Sequence, residues 1–390
     1  MKVCDLTQFY SPLSGGVKRY LQEKIAFIQT ARPDDEHVLI IPGGKTELIR
    51  AARSKIYTIR SPLISRTTQY RALLDLRALE EIIERERPDI LETADPYQVG
   101  WKAIRAGHTF GIPVVAFYHS HFVEAYLGGP ARRLGACGST LVMAAARAYV
   151  RKLYNQFVVT CVPSRRLADV LSEWGVGNMR VLALGVDTKI FHPHADAAET
   201  RAELGIPDGR KVLIYVGRLA PEKNTRTLFE AFAGLTRRSA GDFHLLIIGD
   251  GQERESLQEL EHTTGRVSWI SYCQDADELA RFYRAADLFV HPGIEETFGL
   301  VALESQACGT PVVGVRGSFM DENILHSQDT WATENSPSAL AAATEKMCAL
   351  DLAAFGAEAA ILVAARFDWR RVFENLFSVY REVVTGYRRA

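Results

Sequence analysis

Short apolar runs alternate with amphipathic stretches along the whole of this 390-residue chain. Lys2-Val3-Cys4-Asp5-Leu6, His37-Val38-Leu39-Ile40-Ile41, Asp89-Ile90-Leu91-Glu92, Pro113-Val114-Val115-Ala116-Phe117 and Phe157-Val158-Val159-Thr160-Cys161-Val162 read as buried strands. Between them, residues 17–29 and 73–86 carry apolar side chains at helical spacing. The pattern then restarts. Lys211-Val212-Leu213-Ile214-Tyr215-Val216-Gly217 is a strand, 225–237 a helix, and His244-Leu245-Leu246-Ile247-Ile248-Gly249 the next strand. Val267-Ser268-Trp269-Ile270, Leu288-Phe289-Val290 and Pro311-Val312-Val313-Gly314 continue the series. Apolar strands separated by helices predict an α/β chain with parallel sheets covered on both faces. Two series of similar size predict two doubly wound, Rossmann-like domains facing each other across a cleft, with ligands at the carboxyl ends of the strands. Asp187, Pro193 and a polar stretch interrupt the pattern, which gives domains of residues 1–185 and 186–368. An amphipathic helix over about 369–387 closes the chain, and its pattern alone assigns it to neither domain.

The richest segment is Phe289-Val290-His291-Pro292-Gly293-Ile294-Glu295-Glu296-Thr297-Phe298-Gly299-Leu300-Val301-Ala302-Leu303-Glu304. A strand ends at the breakers Pro292 and Gly293, and Leu300, Val301, Leu303 and Ala307 recur at helical spacing. A helix beginning near Phe298 puts free N–H groups and a positive dipole end between Glu296 and Glu304. Eight residues of mostly helical rise span roughly 10 Å, about the reach from a sugar to the ribose of a sugar nucleotide. The same spacing also suits a surface acid ahead of a helix and a solvated acid within it.

Other strand ends carry further candidates. Gly217-Arg218-Leu219-Ala220-Pro221-Glu222-Lys223-Asn224 sets two cations on one loop, a fork and a point charge suited to a leaving diphosphate. Tyr118-His119-Ser120-His121 follows the strand ending at Phe117, and His119 is the favoured partner for a sugar or acceptor hydroxyl. Ser14-Gly15-Gly16 opens the first helix, where Gly15 and Gly16 permit close backbone approach to a phosphate or serve a plain turn. It is not the G-x-G-x-x-G dinucleotide fingerprint, which argues against an NAD enzyme. Asp275-Ala276-Asp277 has a metal-binding D-x-D form, yet an N-cap and first-turn acid explain it. No metal and no other cofactor is expected.

Composition narrows the class. With 47% hydrophobic and 24% charged residues the chain has the balance of a soluble globular protein. Six scattered cysteines without a C-x-x-C fit reduced thiols in a cytoplasm. No apolar run approaches the ~18 residues of a membrane span. Residues 1–185 carry 25 Lys+Arg against 17 Asp+Glu, an excess that suits a phospholipid surface or phosphorylated acceptor, or reflects compositional drift. Residues 134–156, flanked by Arg132, Arg133, Arg147, Arg151 and Lys152, suit either a core helix or one resting on an anionic membrane. No nucleic-acid partner is expected.

Together these segments resemble the retaining glycosyltransferases of family four, which have the GT-B fold. The matching pieces are Ser14-Gly15-Gly16-Val17, His119-Ser120, Leu184-Gly185-Val186-Asp187 with Phe191 and Pro193, Gly217-Arg218-Leu219 with Glu222-Lys223, Gly249-Asp250-Gly251, the Glu296–Glu304 segment, and Phe367-Asp368-Trp369 with Val372-Phe373-Glu374. The resemblance implies metal-independent transfer of a hexose such as mannose or glucose from a nucleoside diphosphate sugar to a hydroxyl of a lipid or growing glycan. It makes residues 1–185 the acceptor side, 186–368 the donor side and 369–390 a helix crossing back to the first domain. Arg218 and Lys223 then hold the diphosphate, Glu296 meets the donor sugar and Glu304 the ribose. The backbone of Phe298, Gly299 and Leu300 faces sugar and phosphates, Gly16 approaches a phosphate, and His119 sits beside the sugar. Base contacts are expected from backbone near Ser271, Tyr272 and Cys273. The stretch Gly314-Val315-Arg316-Gly317-Ser318-Phe319-Met320-Asp321-Glu322 departs from the family's Gly-Gly-x-Pro-Glu loop, which leaves contacts there open, as is the role of His121. A nucleotide-sugar 2-epimerase and a silent nucleotide-sugar-binding protein are the competing expectations. Placement is expected in the cytoplasm, with peripheral contact at the inner membrane face.

Overall fold

The computed structural model describes residues 1–11, 15–64, 69–119, 121, 123, 135–238, 243–325 and 328–389. They form two compact units, Met1–Leu184 with Trp369–Ala390 and Gly185–Asp368.

The sheet of the first unit contains β1 (Lys2–Leu6), β2 (Glu36–Gly43), β3 (Glu47–Arg50), β4 (Ser54–Arg60), β5 (Ile90–Thr93), β6 (Val114–Phe117), β7 (Val159–Val162) and β8 (Met179–Val181). Their order is β3-β4-β2-β1-β5-β6-β7-β8, and only the β3–β4 pair is antiparallel. The order reverses between β1 and β5, where the crevice of a doubly wound sheet forms. β3, β4 and β8 extend the strand series read from the sequence. β3 and β8 mix charged with apolar residues because they form the edges, where one flank meets water, and β4, between β3 and β2, sets buried Tyr57 and Ile59 between more exposed Thr58 and Arg60.

Helices Gly16–Ala31, Leu76–Glu86, Gln98–Phe110, Gly135–Tyr154 and Arg165–Glu173 follow strands of this sheet. Asp75 starts the second by accepting from the Ala78 N–H at 3.0 Å. The terminal helix Trp369–Arg389 belongs to this unit. Its Phe373 and Phe377 are fully buried and meet Phe27 at 5.5 and 5.6 Å between ring centroids. Each such phenyl ring contributes about 1.5–3 kcal/mol of apolar burial.

The second unit orders β9 (Lys211–Val216), β10 (Phe243–Ile248), β11 (Val267–Ile270), β12 (Leu288–Val290) and β13 (Val312–Val313) as β11-β10-β9-β12-β13, all parallel. Here the order reverses between β9 and β12. Leu213, Tyr215, Phe232, Leu245 and Leu288 centre one core of this unit. The Val186 N–H bonds the Phe367 carbonyl at 2.8 Å, and the Thr188 hydroxyl bonds Asp368. The two points where the chain passes between units therefore lie side by side.

Candidate active site

In the second unit the strand-end loops are knitted together at the switch point. Gly217, after β9, and Gly249, after β10, both have positive φ, at 153° and 143°. A Cβ on Gly249 would run into the Gly217 carbonyl oxygen. Glycine is required because two backbones touch there. Arg218 is half exposed and pairs with Glu222 at 3.0 Å. Lys223 closes a short 3-10 turn, Pro221–Lys223, and ends only 27% exposed.

Lys223 forms an ion pair with Glu296, which follows β12. The pair bridges the two strands flanking the reversal of order, where such sheets bind ligands. Burial pushes the Glu296 carboxyl up, but the Lys223 charge and hydrogen bond, together with the charges around it, outweigh burial and hold it below its ordinary value. Neighbouring His291 is buried, accepts from the Gly293 N–H at 3.1 Å and is pushed down to about 4 by burial. The site therefore presents a cation, an anion and a neutral imidazole.

The helix expected near Phe298 begins instead at Leu300. Gly299, at φ 77°, takes the left-handed conformation that places it ahead of the helix, and the Phe298 carbonyl accepts from Asn323. The Phe298 ring is buried and meets Phe367, so only its backbone remains for a ligand. No side chain caps Leu300–Ala307 and its first turn holds no acid. That leaves amide groups and a positive dipole end for an anion. Glu304, 3% exposed, accepts from the Tyr283 hydroxyl at 3.0 Å. Sequence reasoning missed three supports. Tyr283 orients Glu304, Asn323 ties down Phe298, and Met320 packs so that a Cβ on Gly299 would lie 2.5 Å from its sulfur. The departing loop thus braces the helix start, a role that its lack of a Pro-Glu pair concealed.

Tyr272 is 54% exposed. Burial pushes the Cys273 thiol up to about 12, and its sulfur lies 3.3 Å from Glu278, so it is no nucleophile. Asp275 accepts from the N–H groups of Asp277 and Glu278 at 2.8 and 3.1 Å, the geometry of a helix cap. Among the described residues no group of three His, Cys, Asp or Glu could hold a metal.

In the first unit Gly15, at φ 123°, stands ahead of the helix that Gly16 begins, again with no side-chain cap or first-turn acid. His119 stacks on Phe117 at 4.3 Å and meets the Tyr20 edge at 4.7 Å. Burial and then the Lys24 charge push it down to about 3. His121 stacks on Trp174 at 5.2 Å and faces the Tyr118 hydroxyl at 3.3 Å. Ser14, Ser120, Arg132 and Arg133 lie outside the described residues.

The family model described as Glycosyl transferases group 1 matches residues 196–357, and that described as Glycosyltransferase Family 4 matches 14–190. A GDP-mannose-dependent alpha-(1-6)-phosphatidylinositol dimannoside mannosyltransferase of Mycobacterium tuberculosis is 32% identical over 87% of this chain and 86% of its own length. A GDP-mannose-dependent alpha-mannosyltransferase of Corynebacterium glutamicum is 32% identical over 81% of this chain and 72% of its own. Among solved structures, sucrose-phosphate synthase from Thermosynechococcus elongatus matches with TM-score 0.79 at 21% identity over 99% of both chains, a likeness of fold. With the ion pair and helix start found where the family motifs fall, this chain belongs to glycosyltransferase family 4 and is a nucleotide-sugar-dependent hexosyltransferase of the GT-B fold.

Proposed function

We propose that the enzyme moves mannose from GDP-mannose to a hydroxyl of a lipid-linked glycan, with retention at the anomeric carbon and without a metal ion. The names of the mannosyltransferase relatives support donor and acceptor. The observation that carries the reading is the Lys223–Glu296 pair beside the uncapped start of Leu300–Ala307. The Leu300 helix end and Lys223 take the diphosphate, with Arg218 as a second cation. Glu296 accepts from donor-sugar hydroxyls, Glu304 from the ribose, and backbone at Gly249, Tyr272 and Cys273 lies by the base. From the first unit, Gly15 and Gly16 serve a phosphate and His119 the transferred sugar.

In the reaction the bond from the anomeric carbon to the phosphate oxygen breaks and one to the acceptor oxygen forms on the same face. The acceptor proton passes to the departing phosphate oxygen. Lys223, Arg218 and the helix end stabilise charge as it gathers on the diphosphate. The first unit, with 30 Lys+Arg against 19 Asp+Glu, is suited to an anionic membrane surface on the cytoplasmic side. Among the described residues no single helix is long and apolar enough to cross a membrane.

The test is turnover of GDP-mannose with vesicles bearing phosphatidylinositol mannosides, with and without EDTA. GDP release, an α-linked product by NMR and no effect of EDTA are expected. A β-linked product, loss of activity in EDTA, or an epimerised donor without transfer would overturn the reading.

A further inference from the structure

Beneath His119 lies an ion cluster that the family motifs do not mark. Lys24 is fully buried, and its Nζ lies 2.9 Å from Asp5, 2.8 Å from Glu92 and 2.9 Å from the Tyr380 hydroxyl. Three partners use all three of its donors. Asp5 also meets His37 Nε2 at 2.5 Å, and Glu92 accepts from the Tyr20 hydroxyl at 2.9 Å. Asp5 and Glu92 sit on β1 and β5, the strands flanking the reversal of order in this sheet. A small cavity there is lined by Asp5, Thr7, Tyr20, Glu92, Ala94 and His119. Buried ion clusters stabilise no better than apolar packing of similar volume. The placement of this one at a ligand-binding crevice therefore asks for a role other than stability.

The contacts lead to His119. The Lys24 ammonium lies 4.5 Å from the Tyr20 ring centroid, and Tyr20, Phe117 and His119 pack as one cluster with ring centroids 4.3–5.1 Å apart. We propose that Lys24 is a positioning residue for His119: through Tyr20 it fixes the imidazole plane, and its ammonium disfavours a positive charge on that ring. The inference rests on the reading of His119 as the group beside the transferred sugar. A neutral ring has one donor and one acceptor nitrogen, so it bonds a sugar hydroxyl without competing for the proton bound for the departing phosphate. The charged and titratable groups packed around it are Tyr20 and Lys24 from the first helix, Asp5 from β1, Glu92 from β5 and, behind Lys24, Tyr380 from the terminal helix. Burial and then Lys24 depress the His119 titration to about 3, while Asp5 opposes them.

The test is long-range 1H–15N NMR of the histidines in the full chain, with His119 assigned from a His119→Gln spectrum. In the wild type His119 stays neutral, in one tautomer, down to pH 5. In Lys24→Met its titration rises by about one unit or more, a tenfold change in proton affinity, so that roughly a tenth of the ring or more is protonated at pH 5. Because Lys24→Met strands two buried carboxyls, Lys24→Met/Glu92→Gln removes charge in a pair, keeps Asp5 and its opposing influence on His119, and serves if the single variant does not fold. A wild-type His119 that titrates near 6.5, or one equally neutral in the paired variant, overturns the proposal. The NMR readout needs no turnover, so failure of the mannosyltransferase reading would show separately as absent transfer.

Discussion

Lys223→Ala probes the proposed leaving-group stabilisation while sparing the fold. The ammonium is 27% exposed and its partner Glu296 23% exposed, so their pair is screened and contributes only roughly 0.2–1 kcal/mol to stability. In catalysis the same ammonium is asked to neutralise a diphosphate in a drier site, and losing one charge-assisted contact costs about 1.5–3 kcal/mol. That corresponds to roughly a 10- to 150-fold fall in kcat/KM. Removing Lys223 also removes the main influence holding the Glu296 carboxyl below its ordinary value, so burial then raises it. Glu296 in the wild type contributes stability above its unfolded pKa, lost as pH falls through the lower folded value. The variant loses that contribution. The assay is kcat/KM for GDP-mannose at pH 7.5, beside Glu296→Gln and the double variant, with urea unfolding of all three. If both residues act on one bound donor, the double variant loses less than the sum of the singles. A folded Lys223→Ala enzyme within twofold of wild type would refute the reasoning, as would strict additivity.

Three further outcomes follow from the geometry. Glu304→Ala should raise the donor KM by roughly 10- to 150-fold with little change in kcat, and Tyr283→Phe, which frees Glu304 from its 3.0 Å bond, should do so more weakly; unchanged KM in both would count against the ribose contact. Gly299→Ala should cost about 1–3 kcal/mol in urea unfolding from backbone strain at φ 77°, and Met320→Ala should relieve only the steric part; no loss would show the helix start to be unstrained. Stability should fall from pH 7 to pH 5, because His119 and the buried His121, His244 and His291 are held at about 3 to 4 and are protonated near 6.5 only when unfolded. Asp95, raised to about 6 by burial, and Glu92, also raised, oppose this with fewer protons, so a flat profile would contradict the balance.

Sequence made legible what is local. Strand-end loops carrying Arg218 and Lys223, and the acids Glu296 and Glu304, are visible because apolar runs stop at glycine or proline before them, and His119 because the run ending at Phe117 gives way to two histidines in three residues. The link from Lys223 to Glu296 spans 73 positions, and nothing in either segment signals it. Lys24 looks like any cation on an amphipathic helix, and its partners Glu92 and Tyr380 lie 68 and 356 positions away. Helix spacing gave the Leu300–Ala307 stripe but not its first residue, because apolar Phe298 fits the stripe while Gly299 turns the backbone out of it. Strands β3, β4 and β8 were hidden for a physical reason too. The edge strands β3 and β8 keep polar residues, and β4 mixes Lys55, Thr58 and Arg60 with its apolar positions, which weakens the signature of burial.

The central claim is that one helix tip and one cation in the second unit grip the donor's diphosphate. Amide hydrogen exchange with and without saturating GDP tests it most directly. Slowed exchange should concentrate at residues 217–223 and 299–303 and require roughly 10- to 150-fold more GDP in Lys223→Ala. Protection absent from both stretches, or unchanged by that substitution, would contradict the account.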